Sequence, residues 1–429
     1  MTPNVIGVHV IEVGVAPPEG TLMTEPNEQQ IAEALRAHPP ITLAPGPREA
    51  PSAAPEPDQT WELPGGTAWV YLADAEQGLR RPVILADGFN IGPSDLDFSW
   101  ETLERGPYAF ISELRARERD VILVGFDERS ASILDNAVVA KAAIQEAIRR
   151  RTGEHRLTVG GFSMGGLVAR YALAKMEHDG DEHETTLYFS YDSPHRGAWI
   201  PLALQAFAHY IRRLNDSFST QMNSTAARQL LWQHIAEWDD TPETDKERTE
   251  FLAELERVGS WPRHPHKIGV ANGVRTGESN GVPAGERAFR GKGLAITGTN
   301  LYTQSAGVDQ LIAQLRVVTL RKPKIHTSAL PEIDGAPGGT LEGFGILADE
   351  LDKIPALIGL GSEAEIREHC FVPSVSAIAL REIDDHSKLY DPVADSEDSE
   401  LDEYLCASQN EGHTLVTEEL CTWILDRLP

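Results

Sequence analysis

LTVGGFSMGGLVARYALAKM, residues 157–176, reads as a short β-favouring run, a tight turn and a helix. Leu157, Thr158 and Val159 suit a strand; from Gly165 onward Leu167, Val168, Tyr171 and Leu173 are spread among good helix formers. Ser163 stands at the junction, with Gly161 and Gly165 on either side. A serine presented on such a turn must take a strained backbone conformation, and the chain must bend sharply around it, which only glycine permits. The pattern Gly-x-Ser-x-Gly alone is weak, since a chain of this length contains it by chance roughly 0.1 to 0.2 times. A second copy, Gly277-Glu278-Ser279-Asn280-Gly281, makes the hazard concrete. No strand runs directly into it and a loop with proline and glycine follows, so it reads as a flexible loop and Ser163 as the candidate nucleophile.

Around this unit the chain alternates in the manner of a parallel sheet with crossover helices. PVILADGFN (82–90), DVILVGFD (120–127), LTVGG and TLYFSYD (186–192) read as strands, several with the apolar runs of strands buried on both faces; helices are expected around 106–118 and over 133–151. Upstream, VIGVHVIEVG (5–14) and TAWVYLAD (67–74) read as strands, with a proline-rich loop over 38–64 between them, so residues 1–80 are expected to join the same sheet. Residues 199–261 read as consecutive helices with Ile200, Ala203, Leu204, Phe207, Ala208, Ile211 and Leu214 on one face, a candidate cap. HKIGVANG (266–273) resumes the sheet. A β-rich stretch over 287–322, a helix near 346–358, a strand-like FVPSVSAIAL and a last helix over about 415–427 follow. The predicted fold class is α/β: a mostly parallel central sheet with flanking helices, a helical cap insertion and an extra β-rich insertion, the core taking residues 81–198 and 262–429.

Lys and Arg number 38 against 66 Asp and Glu, a net charge of −28. Such a surface repels phosphate backbones and anionic membranes, which argues against nucleic acid as a partner. No run approaches the roughly 18 apolar residues of a membrane span. The amino terminus lacks the pattern of a secretory signal, and Cys370, Cys406 and Cys421 are too few for a disulfide framework, so a reducing, cytoplasmic setting is expected. Oligomeric state leaves no signature. HDGDEHE (178–184) gathers His178, Asp179, Asp181, His183 and Glu184 without metal-site spacing and reads as a solvated turn; DSEDSELDE (395–403) reads as an acidic loop. No glycine-rich phosphate loop stands out, and neither cofactor nor metal is expected.

GFSMGG in its strand-to-helix setting, the turn after VILADGFN, SPHRGA at 193–198 and a histidine ahead of the terminal helix together resemble the α/β-hydrolase superfamily, serine hydrolases of lipase and esterase type. The likeness spans most of residues 82–429 in element order. Phe162 departs from the histidine commonest at its position, where serine hydrolases vary. The resemblance implies partners downstream in the order serine, acid, histidine, because a hydroxyl needs an imidazole within reach and the imidazole needs a carboxylate to orient it. His413, in NEGHTLVTEEL, is the expected base, ahead of His326 and His386; His369, beside Cys370, reads as a packing residue. For the acid Asp334 in EIDGAPGG comes first, then Asp192 in SYDSPHRG, at a position some lipases use, then Glu278. The oxyanion donors implied are the N–H of Met164 and that of Phe89 or Asn90, with Gly88 allowing the turn. His195 either lines the pocket or fixes its turn. The implied function is cleavage of a carboxylic ester, from a small-molecule or lipid-like substrate, through an acyl-enzyme on Ser163. The apolar insertion points to a hydrophobic acyl group. Acyl transfer on the same machinery and an inactive binding protein of the same fold are the alternatives.

Overall fold

The computed structural model describes residues 27–44, 46, 50–318, 322–381, 386–393 and 398–429. The strand expected over 5–14 lies outside the described residues. Seven strands, β1 (Gln59–Leu63), β2 (Gly66–Tyr71), β3 (Pro82–Ala86), β4 (Asp120–Phe126), β5 (Leu157–Phe162), β6 (Thr185–Tyr191) and β7 (His266–Ala271), join β15 (Glu403–Cys406) near the chain's end in one sheet. Its order is β1-β2-β4-β3-β5-β6-β7-β15. β1 and β2 form an antiparallel hairpin, β2 runs antiparallel to β4, and the remaining pairs are parallel.

The two-residue period of the strands divides their side chains between two cores. Val83, Leu85, Val121 and Leu123 face one core with Trp100 of α2 (Leu96–Glu104), Ile111 and Leu114 of α3 (Phe110–Ala116) and Ile424 of α12 (Glu418–Leu425). Ile84, Ala86, Ile122 and Val124 face the other, packed on α4 (Ile133–Arg150) and α5 (Met164–Asp179). Each such aliphatic side chain stabilises the fold by roughly 1.5–3 kcal/mol when fully buried. This is why VILA and VILVGF carry no alternation of polarity.

Several boundaries differ from the sequence expectation. The helix expected around 106–118 is α3, and an additional helix, α2, precedes it across Gly106-Pro107. β1 occupies the end of the stretch expected to be loop over 38–64, because Pro64-Gly65 makes a tight turn, with Gly65 at φ 84°, that returns the chain onto β2. Between β6 and β7 lie α6 (Leu202–Tyr210), α7 (Ser217–Met222), α8 (Thr225–Leu230) and α9 (Lys246–Arg257). Between β7 and β15 the chain builds a five-stranded antiparallel sheet, which gives the β-rich stretch expected over 287–322 a definite topology. Its strands are β8 (Arg287–Gly291), β9 (Asn300–Tyr302), β10 (Gln310–Gln314), β11 (Lys324–Thr327) and β13 (Ser362–Ala364). Its core, with Phe207, Phe289 and Phe344, also takes in α1 (Glu28–Ala37), α6 and α10 (Gly343–Asp352). A separate pair, β12 (Gly338–Leu341) and β14 (His369–Pro373), runs antiparallel. FVPSVSAIAL is only half strand: β14 ends at Pro373, which has no N–H to donate, and α11 (Ser374–Ala377) begins there.

Candidate active site

Ser163 joins β5 to α5 at φ 52° and ψ −124°, a conformation that costs an L-residue energy and that its surroundings must hold. Its N–H donates to the carbonyl of Tyr191 at 2.9 Å, and its carbonyl accepts from Gly166 at 3.1 Å. A Cβ on Gly161 would overlap the backbone of Gly165, one on Gly165 the carbonyl of Ala86, and one on Gly166 the hydroxyl of Ser193. The three glycines of GFSMGG are therefore each required by a close approach. Phe162 stacks on Tyr191, with ring centres 4.8 Å apart, and closes the floor beside the serine.

Ser163 Oγ lies 2.7 Å from Nε2 of His413, and Nδ1 of His413 lies 2.6 Å from Oδ2 of Asp192. All three residues are buried. Asp192 follows the last residue of β6 at φ 47°, and its other oxygen accepts the N–H of Asn272, just past β7, at 3.0 Å. With Asp192 accepting from Nδ1–H, Nε2 is left to accept the serine proton. The N–H of His413 donates to Thr340 of β12 at 2.8 Å, and the Phe371 ring of β14 meets the imidazole edge-on at 4.7 Å. Gly339 of β12 backs the acid so closely that a Cβ there would overlap Asp192 Oδ2. These supports from β12 and β14 carry no sequence motif.

The first choice of acid, Asp334, is thereby corrected to the second, Asp192. Asp334 sits in a buried 3₁₀ turn, with Oδ1 accepting from Trp199 Nε1 and Oδ2 from the N–H of Gln304, both at 2.6 Å. Burial pushes its carboxyl up to about 6. Both oxygens are occupied in holding a loop to the start of the helical stretch, and neither is paired with His413. Glu278 is exposed and offers its carbonyl to Asn410. Ser279 is exposed as well, its hydroxyl donating to Gly335 at 2.7 Å, so the second Gly-x-Ser-x-Gly is a loop. His369 packs edge-on against Phe344 and Phe371, with burial pulling it down to about 4, and His326 pairs with Asp309 at 3.1 Å. The side chain of His386 lies outside the described residues.

A cavity of about 70 Å³ opens on Ser163, lined by Asp87, Gly88, Phe89 and Asn90 after β3, by Phe98 and Thr102 of α2, and by Phe162 and Thr414 among others. The N–H of Met164, ahead of the helical ladder, and that of Phe89 have no acceptor among the described residues. Gly88 differs: its N–H donates to Asp87 Oδ1 at 2.7 Å, so it supplies room for the turn and no free donor. Asp87 also accepts from Ser94 at 2.6 Å and faces Arg129 at 3.7 Å, bracing the loop from beneath. Burial raises its carboxyl above the ordinary range. The short motif Asp-Gly after a buried strand was the only sequence signal for that brace. Residues of α6 to α9, the expected cap, line none of this cavity. Instead α8 and α9 pack beside α4 and α5, where Gln229 accepts from the N–H of Ile133 and Tyr171 donates to Glu254. His195 fixes its turn, 3.0 Å from Ser190 Oγ, and does not line the cavity at Ser163.

Glu177, His183 and His264 converge closely enough to hold a metal ion. Their hydrogen bonds argue for another role. Nδ1 of His183 accepts the N–H of Thr185, which leaves the proton on Nε2 to be donated to Glu177 at 3.0 Å. Glu177 also accepts the N–H groups of Arg263 and His264, so the carboxylate closes a turn. Within HDGDEHE, Asp181 pairs with Lys141 and Asp179 with Lys175.

No family model matches the chain, and neither does any curated protein. Solved structures similar to it include a lipase of Bacillus licheniformis in mature form, at 14% identity over 48% of this chain and 73% of that one, with a TM-score of 0.31. A hyperthermophilic esterase from the archaeon Pyrobaculum calidifontis is 12% identical over 50% of this chain and 64% of that one, with a TM-score of 0.32. Carboxyl esterase 2 of the fungus Tuber melanosporum is 14% identical over 58% and 79%, with a TM-score of 0.33. At these values the fold rests on the chain's own topology. Its mostly parallel sheet, its strained serine between β5 and α5 and the chain order serine, aspartate, histidine are those of an α/β-hydrolase fold.

Proposed function

We propose that the chain is a serine hydrolase of carboxylic esters, and the continuous hydrogen-bonded line from Ser163 through His413 to Asp192 carries that reading. Ser163 Oγ attacks the ester carbonyl while His413 Nε2 takes its proton, and Asp192 holds the imidazole in the required tautomer and stabilises its charged form. The oxyanion turns toward the N–H groups of Met164 and Phe89, each such donor contributing about 2.7–4 kcal/mol to the transition state. His413 then gives the proton to the departing alcohol, and water, activated by the same imidazole, releases the acid from the acyl-enzyme. In this reading the core of residues 81–198 and 262–429 carries the chemistry and the helices of 199–261 flank it.

The acyl group is small. A space of about 70 Å³ at the serine favours an acetyl or propionyl group over a fatty chain. A long hydrophobic acyl group, as the apolar helices suggested, loses its support because those helices do not line the space. Hydrolysis of nitrophenyl acetate, butyrate and palmitate tests both points. Acetate and butyrate are expected to turn over faster than palmitate, and Ser163→Ala to lose about 10⁶-fold in kcat. A Ser163→Ala protein as active as wild type, or a wild type that a fluorophosphonate probe does not label, overturns the proposal.

A further inference from the structure

We propose that the chain carries a second binding site, a cavity that takes a small carboxylate with an apolar body and anchors it on the guanidinium of Arg248. The cavity measures about 220 Å³ and lies beyond the SPHRGA turn that follows Asp192. Arg196, Trp199, Trp232, Pro373 and Val375 line it together with Arg248. It shares no lining residue with the cavity at Ser163, and β14 stands between them, with Phe371 against His413 and Pro373 in the second cavity's wall.

Arg248 belongs to the first turn of α9 and is only 5% exposed. One of its nitrogens, Nη1, donates to the carbonyl of Gln229 at 2.9 Å, at the end of α8. Nε and Nη2 have no acceptor among the described residues. Neighbouring cations are matched by acids: Arg196 meets Glu400 at 2.7 Å, and Arg228 meets Asp245 at 3.0 Å. Arg248 has no acid partner among the described residues, and burial together with the like charge of Arg196 pulls it down to about 10. A buried charge without a counter-charge is costly, and an anion in the cavity would relieve it.

The rest of the cavity decides which anion. The two free nitrogens present the planar fork that a carboxylate meets with two parallel bonds. Around them most of the wall is apolar, with Trp199 and Trp232, ring centres 6.1 Å apart, and Ile333, Leu389 and Val375, while His195, Arg196, Thr244 and Ser376 add polar atoms. Sulfate or phosphate would leave oxygens facing those walls, whereas an aromatic or branched aliphatic body would bury against them. The volume of about 220 Å³ suits a molecule the size of benzoate.

Because two tryptophans line the cavity, occupancy is readable by their fluorescence in the full chain. Titration with benzoate is expected to give a saturable change in the millimolar range or tighter. Benzamide, of the same shape without the charge, and inorganic sulfate should bind at least about tenfold more weakly. Arg248→Met should abolish the benzoate response. Thr244→Trp, at the exposed mouth, should block it without touching the buried guanidinium. Protein phosphonylated on Ser163, and the Ser163→Ala variant, should titrate as wild type, which separates this site from binding at the serine and from any failure of the hydrolase reading. Equal affinity for benzoate and for benzamide or sulfate, folded Arg248→Met or Thr244→Trp protein that titrates as wild type, or no saturable response to benzoate, would each overturn the proposal.

Discussion

Asp192 and Asp334 are both buried carboxylates in turns, and what their oxygens meet separates them. Each accepts one backbone amide, but Asp192 also accepts from an imidazole and Asp334 from an indole. Asp192→Asn keeps the shape but offers the imidazole an amide and favours the wrong tautomer. Its kcat for nitrophenyl acetate is expected to fall by about 10⁴ with the fold intact. Asp334→Asn should leave kcat unchanged and cost about 1–3 kcal/mol in urea unfolding, because one of two donors loses its acceptor. The same variant gives a test by pH. The carboxyl is raised from 3.8 to about 6 in the folded protein, so folding favours its protonated form. Stability from this group is complete below the unfolded value and is lost as pH rises through the folded one. Relative to the Asn variant, which cannot titrate there, wild type should lose stability between about pH 4 and pH 6. The reverse slope would show that the two hydrogen bonds outweigh desolvation. Sequence puts Asp334 ahead of Asp192, because 221 residues separate Asp192 from His413 and only the fold brings them together. The available hint was that Asp192 ends the strand next to the nucleophile's own.

At the level of elements, legibility followed burial. β3, β4 and β5 were visible in the sequence because strands covered on both faces are uniformly apolar, and the turn at Ser163 because close backbone contacts demand its glycines. β15 was missed: Glu-Tyr-Leu-Cys on the sheet's edge is mostly half-buried and has neither an apolar run nor clean alternation. α11 was misread because Phe371, Val372, Val375 and Ile378 give the stretch a β-favouring look while packing keeps Ser374–Ala377 helical. The loop after β3 lines the same cavity as Ser163, and its proposed chemistry is testable as an element. Phe89→Pro removes the backbone N–H and should lower kcat by about 10²–10³ while KM changes little. Gly339→Ala, in a strand without any sequence motif, should push Asp192 off the imidazole and lower kcat without touching any reacting group. Steady-state kinetics on short esters would read both, and an unchanged Gly339→Ala enzyme would mean that β12 yields.

At the scale of the molecule, the described residues pack into three apolar cores without a covalent staple. Cys370, Cys406 and Cys421 are all free and buried, so a thiol reductant should leave Tm unchanged in calorimetry. The net charge of −28 adds self-repulsion that salt screens. Raising ionic strength from about 0.01 M to about 0.15 M shortens the screening length from about 30 Å to about 8 Å and should raise Tm. A flat response would mean that the many local ion pairs already cancel the long-range field. Finally, β7 and β15 are neighbours in register, which tempts a protein engineer to excise everything between Ala271 and Glu403 and bridge the gap with a short crossover. Such a miniature would be inert. Within the excised stretch Thr340 anchors the main chain of His413 and Gly339 walls in the carboxylate of Asp192, so the supposed ornament is the jig in which the imidazole is aligned.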